Sequence, residues 1–292
     1  MNAGPAAAPG TLYLVPTPIG NIRDLSPRAA DVLGAVAVIA AEDTRKAQTL
    51  LRALGIRARL VSYYDYNERT RSAQLLRSLR DGKDVALISD AGTPMVSDPG
   101  YRLIRAALDD GIRVRPLPGP SAAITALVGS GLPCHRFEFV GFLPRAKAER
   151  RAAITELSGS RATLVVFESP HRLADTVADL SDLLGDRQAA LARDLTKDSE
   201  SYLRGSLAEV AAEIAAELGT AGTIRGEYTL VVAGAGAEPA GADDEAGRLA
   251  RALLRRGVPA RTVREVVAEL TGLGRNAAYQ VVCRAADDAS AG

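Results

Sequence analysis

The sequence predicts an α/β protein built from two consecutive α/β domains and a small C-terminal helical module. Three observations carry that prediction. Short β-branched apolar runs alternate with segments of helical period up to residue 119, and beyond residue 137 such runs recur at closer spacing. After residue 246 only helical periodicity remains.

Residues 1–11 are mostly small and Pro/Gly-rich, and read as a frayed, disordered tail without the positive start or apolar core of a signal peptide. The runs at 12–15, 36–39, 85–88 and 114–117 read as strands, and helices are expected at 27–33, 47–54, 72–79 and 101–108. Such alternation implies a mostly parallel sheet with helices on both faces, giving a first domain over 12–119. PLPGPSAA at 116–123 interrupts the pattern, and an Ala-rich helix then runs through Val128. Pro120 or Ser121 suits the start of that helix, whose free amides are available to a ligand. A second domain over 120–234 is expected to hold strands at 137–142, 163–167, 189–192, 201–203 and 228–232, with helices near 148–157, 173–184 and 207–218. The short spacings between its last strands imply a mixed sheet with antiparallel pairs. Residues 235–246 have the Ala/Gly/Glu/Asp/Pro composition of a linker. Within a 247–287 module, helices at 247–254, 260–270 and 275–286 suggest a helix-turn-helix-like bundle. Arg255, Arg256, Arg261, Arg264 and Arg275 would give it a basic edge, diluted by Glu265 and Glu269.

The chain of 292 residues is 47% hydrophobic, enough for a substantial core. Lys and Arg number 36 against 35 acids, so nucleic-acid contact must rely on a local patch. Cys134 and Cys283, with His135 and His171, show neither metal-ligand spacing nor a disulfide framework. No apolar run reaches the ~18 residues that span a bilayer, and a soluble, cytoplasmic protein without membrane or metal is expected.

Function is most legible in VALISDAGTPMVSDPG, residues 85–100, where a strand ends at Asp90 and two acidic Gly/Pro turns follow. Loops past the carboxyl ends of such strands are where α/β proteins bind ligands, which makes Asp90 a site candidate. The second turn, with Asp98, reads only as entry to the helix near Tyr101. LVPTPIGN after the first strand has prolines where a dinucleotide fingerprint needs glycines, and neither GxxxxGK[ST] nor GxSxG occurs. What remains is a set of polar residues just after apolar runs: Glu42, Asp43, Thr44 and Arg45; Asp90 and Thr93; Glu168, Ser169 and His171; Arg193, Asp194 and Lys197. These would converge on one edge, in a crevice between the domains. Glu168 and Asp194 are equally suited to ion pairs with Arg172 and Arg193, and His171 to a cap. Tyr63, Tyr64 and Tyr66 offer faces for base stacking or for ordinary packing.

Taken together, VPTPIGNIRDLSPRA, AEDTR, YYDYNE, ALISDAGTPMVSDPGYRL, PLPGPSAAITAL, GFLPR, FESPHRL and ARDLTK resemble the ribosomal RNA small subunit methyltransferase I family of the tetrapyrrole methylase superfamily. The resemblance is nearly collinear from Leu12 to Gly234. It implies two α/β domains with a cleft between them that binds S-adenosylmethionine, and methylation of the 2′-hydroxyl of a decoding-centre cytidine in 16S rRNA. By motif, it implies cofactor contacts from Ile19, Asp90, Thr93, Ser121, Ala122, Phe167, Ala192 and Tyr228. The partners implied are 16S rRNA or the small ribosomal subunit, and a second copy of the chain as a homodimer.

The reaction needs a helper that takes the hydroxyl proton, a carboxylate or a lysine of lowered pKa, and Asp43 and Lys197 are the candidates. Arg45 and Arg193 are expected to hold flanking phosphates, and Tyr64, Asn67 and Glu68 to orient the splayed nucleotide. Members often carry histidines where this chain has Tyr64 and Tyr66, which argues against an imidazole base there. A tetrapyrrole C-methyltransferase and a non-catalytic nucleic-acid-binding factor are the competing readings. The proline-containing first loop and the helical extension count against the former, and the modest net charge and strand-end clusters against the latter.

Overall fold

In the computed structural model, which describes residues 8–236 and 240–290, the first five strands form a parallel sheet. These are β1 (Thr11–Leu14), β2 (Val38–Ala41), β3 (Leu60–Ser62), β4 (Val85–Ile88) and β5 (Arg113–Pro116), in the order β3-β2-β4-β1-β5. The alternation of side chains along a strand explains its two cores. Val85 and Leu87 face α3 (Glu68–Arg80) and α4 (Tyr101–Asp109), in a cluster with Leu75, Leu79 and Leu103. Ala86 and Ile88 face α1 (Pro27–Ala35) and α2 (Thr44–Ala53), packed with Leu33 and Leu51. Both faces being covered, β4 is apolar at every position, as a central parallel strand must be.

The second sheet is mixed, in the order β6-β7-β10-β8-β9. Its strands are β6 (Phe137–Phe142), β7 (Thr163–Glu168), β8 (Gln188–Arg193), β9 (Ser201–Ser206) and β10 (Tyr228–Val232). Only β6 and β7 are parallel; β10 runs antiparallel to both β7 and β8. One face packs on α6 (Lys147–Glu156), α7 (Leu173–Leu184) and α8 (Leu207–Ala221) through Leu164, Val166, Leu230 and Val232. The other buries Val165, Ala192 and Val231 against α5 (Ala122–Ser130), with Ile19 of the first lobe packed at its margin. Ser206 and Glu209 close a reciprocal capping box that starts α8.

Several expected boundaries move. β3 was not anticipated, and β2 lies two residues later than its apolar run suggested. Residues 240–246, expected within a linker, form the first turns of α9 (Ala240–Arg255), since alanine favours helix despite the interspersed Gly and Asp. With α10 (Ala260–Thr271) and α11 (Arg275–Ser290) it builds a bundle around Ala250, Val263, Val267, Val281 and Val282. The side chain of Arg275 and residues 237–239 lie outside the described set. Among the described residues no helix is long and apolar enough to cross a membrane, and no group of three or more His, Cys, Asp or Glu is placed to hold a metal.

Candidate active site

The carboxyl ends of β1, β2 and β4 bring three loops to one edge of the first sheet, and the start of α5 and the ends of β7 and β10 face them. Between lies a cavity of about 440 Å³. The loops after β1 and β4 are tied together by a two-bond bridge, Thr17 N–H to Gly92 O at 2.9 Å and Gly92 N–H to Thr17 O at 3.0 Å. Gly92 sits at φ 81°, a conformation only glycine adopts readily. Thr93 Oγ1 donates to Pro120 O at 2.9 Å, joining this loop to the start of α5, where the Ser121 hydroxyl accepts from Ile124 N–H. Ile19, Asp90, Thr93, Ser121, Ala122, Phe167 and Tyr228 all line the cavity. Ala192 does not; it is fully buried behind the wall, against α5.

The other sequence candidates lie elsewhere. Asp43 is the N-cap of α2: its Oδ1 accepts from Arg45 N–H at 2.8 Å and its carboxylate takes a two-pronged bond from the Arg45 guanidinium. The Arg45 side-chain hydrogen bond, then its backbone amide, hold the Asp43 carboxyl far below its ordinary range, so Asp43 is a poor proton acceptor. Lys197, expected as a lysine of lowered pKa, is corrected by its surroundings. Burial works to lower it, but hydrogen bonds from Nζ to Asp194 at 2.8 Å and Glu227 at 2.7 Å prevail and raise it. It is an ammonium that fixes Glu227, one of the residues in the cavity wall.

The substrate candidates are similarly engaged. Asn67 Oδ1 accepts from Tyr64 N–H and its Nδ2 donates to Ser62 O, while Glu68 accepts from the buried Tyr63 hydroxyl and pairs with Arg102. Their polar atoms hold the turn that presents Tyr64, 41% exposed, and Tyr66, 98% exposed, with their rings edge to face. Arg193 pairs with Glu217 at 2.9 Å and lies over the Tyr228 ring. Glu168 takes Arg172 as an ion-pair partner and also accepts from Thr176.

The wall also contains Glu42, which the sequence placed in the strand-end set without a role, and Lys46, Asp98 and Glu227, which were not chosen from the sequence. Glu42 adjoins the cap Asp43 at the end of β2, and its position after an apolar run was the available signal. Asp98, assigned to helix entry, is turned into the cavity instead, because Met95 at φ 73° and Ser97 at φ 69° fold the second turn back on the first. Burial, then the Glu42 charge, with Asp90 adding and Ser89 opposing, pushes the Asp98 carboxyl up to about 7. Glu42 is raised too, by burial and next by Asp90. Asp90 itself is held by Lys46 Nζ at 2.8 Å and accepts from Asp43 N–H at 2.9 Å.

Residues 11–211 match the family model of tetrapyrrole (corrin/porphyrin) methylases. A uroporphyrin-III C-methyltransferase from Thermus thermophilus, solved in complex with S-adenyl homocysteine, aligns over 77% of this chain and 97% of its own with a TM-score of 0.54 at 23% identity. Fold and family match thus define a tetrapyrrole methylase class protein. Within that class, the ribosomal RNA small subunit methyltransferase I of Micromonospora olivasterospora is 56% identical over 94% of this chain and 87% of its own length. Its counterpart from Halalkalibacterium halodurans is 48% identical over 78% and 77% respectively. The chain belongs to the ribosomal RNA small subunit methyltransferase I family.

Proposed function

We infer that this protein methylates the 2′-hydroxyl of a decoding-centre cytidine in small-subunit 16S rRNA, with S-adenosylmethionine as methyl donor. The observation that carries the reading is the cavity between the lobes, walled by the DAGTP loop, in a chain 56% identical to a named small-subunit rRNA methyltransferase. The residues present suit such a cofactor. Ile19 and Phe167 offer apolar surface, the Ser121 side chain and the Thr93 backbone offer polar contacts, and Asp90 presents a carboxylate toward a cationic group. When bound, S-adenosylmethionine supplies an electrophilic methyl group on a sulfonium.

Ile19, Asp90, Thr93, Ser121, Ala122, Phe167 and Tyr228 are assigned to holding the cofactor, with Ala192 supporting the wall from behind. Tyr64 and the exposed Arg45 remain the substrate-facing candidates, for stacking and for phosphate contact. Asn67 and Glu68 shape the tyrosine turn, and Arg193 orders Tyr228. Holding hydroxyl and methyl donor in line supplies a large share of the acceleration, roughly 7–11 kcal/mol in well-aligned cases. The reading carries with it a homodimer working in the cytoplasm, on free rRNA or on the assembled subunit.

The test is incubation of the purified chain with labelled S-adenosylmethionine and small subunits lacking the modification, followed by mapping of the labelled ribose. Label at one cytidine 2′-oxygen is expected. Absence of label from rRNA would refute the assignment, and uptake by a tetrapyrrole instead would establish the alternative.

A further inference from the structure

Among the charged groups facing the cavity, two carboxyls have no ion pair in the described structure. Lys46 is committed to Asp90, Arg172 to Glu168 and Lys197 to Glu227, whereas Glu42 and Asp98 have no such partner. The turn that places Asp98 is held in an uncommon conformation. Two non-glycine residues, Met95 and Ser97, adopt positive φ within three positions, each at a cost of about 1 kcal/mol or more. The turn also approaches the second lobe closely, since a Cβ on Gly141 of β6 would come within 3.2 Å of Ser97 Oγ. Backbone held in this way at a cavity wall marks a residue whose position matters.

We propose that Asp98, backed by Glu42, is the group that accepts the proton of the ribose hydroxyl during methyl transfer. The inference rests on the methyltransferase reading above. As the ribose oxygen bonds to the methyl carbon, the hydroxyl proton passes to an Asp98 carboxylate oxygen, and the electron pair of the breaking carbon–sulfur bond stays on sulfur. Burial, and next the negative charge of Glu42, keep Asp98 basic enough to take the proton near neutrality, which neither the capped Asp43 nor the paired ammonium of Lys197 does. Asp90 has fixed partners in Lys46 and the Asp43 amide. Glu227 and Glu168, facing from the second lobe, are both neutralised by their cations.

The test uses the full chain and its Glu42→Gln and Asp98→Asn variants in three measurements. Single-turnover methyl transfer to unmodified small subunits is followed from pH 5 to 9. Cofactor affinity is measured by calorimetry, which also reports folding, and the Asp98 carboxyl is titrated by carbon-13 NMR without cofactor. The wild-type rate should fall below pH 7. Asp98→Asn should lose about 10²- to 10⁴-fold at neutrality together with that acid limb, and hold cofactor within about fivefold. Glu42→Gln should move both the limb and the NMR midpoint to lower pH. An Asp98→Asn rate within threefold of wild type, an NMR midpoint below 5, or a loss of cofactor affinity as large as the loss of rate would each overturn the proposal. A wild type that transfers no methyl to rRNA would instead bring down the functional reading, and this inference with it.

Discussion

Two clusters of acid and base face each other across the cleft, and they differ in stoichiometry. On the second lobe, Lys197 lies between Asp194 and Glu227, and Asp194 also accepts from Ser199 and from Glu227 N–H. On the first lobe, Glu42, Asp90 and Asp98 share one lysine, Lys46, which is bound to Asp90. The consequence is opposite in sign. Burial raises Asp194, but Lys197 and the hydrogen bonds around it prevail and lower it; burial raises Asp98, and its acidic neighbours raise it further. Saturated with partners, a buried carboxyl is structural; short of one, it titrates where an enzyme works.

Breaking the saturated side should have the larger effect on stability. Lys197→Met strands Asp194, and a loss of about 1–2 kcal/mol is expected in urea unfolding at pH 7, discounted because the lysine is partly exposed. The Asp194 contribution is present above about pH 4 and lost as pH falls through its lowered folded value, so the penalty should vanish in acid. An unchanged midpoint at pH 7 would contradict the structural role.

The unsaturated side should respond in the other direction. With a folded value near 7 against an ordinary 3.8, Asp98 holds its proton longer in the native state, so it costs stability as pH rises from 4 to 7. Asp98→Asn is therefore expected to stabilise the protein by about 1 kcal/mol at pH 8 and leave it unaltered at pH 4, since a tenfold change in proton affinity corresponds to roughly 1.4 kcal/mol before solvent screening. Equal effects at both pH values would remove the electrostatic explanation. Lys46→Met should have the smallest effect, below about 0.5 kcal/mol because the side chain is 66% exposed. It should nonetheless raise the titration midpoint of Glu42 in an NMR pH series, since Lys46 is the cation that lowers it.

The sequence revealed the layout more fully than the chemistry. Four of the five strands of the first sheet and all five of the second were read from the sequence, most clearly β4, β7, β8 and β10, because buried strands need apolar runs. The three-residue β3 is only half-buried and sits at the sheet edge, too short to show a period. Of the wall positions, Asp90 and Thr93 stood out as strand-end residues, whereas Ile19, Ser121, Ala122, Phe167 and Tyr228 were reached only through the family resemblance. Asp98 was missed because its approach depends on positive φ at Met95 and Ser97, residue types that do not advertise that conformation. Lys197 was misread because Glu227, which helps to fix its charge, lies thirty residues away in the chain.

One feature of the cleft bears on how such proteins diversify. A Cβ at Gly20 would lie 2.5 Å from Leu195 O and 2.8 Å from Thr196 Oγ1, and Asn21 N–H donates to that same hydroxyl at 2.9 Å. The first loop of one lobe is thus keyed into a turn of the other, where Asp194 and Thr196 also have positive φ. Neither side of this seam is free to drift alone. A chimera that joins the amino-terminal lobe of one relative to the carboxyl-terminal lobe of another should work only when residues 20–21 and 194–197 come from the same parent.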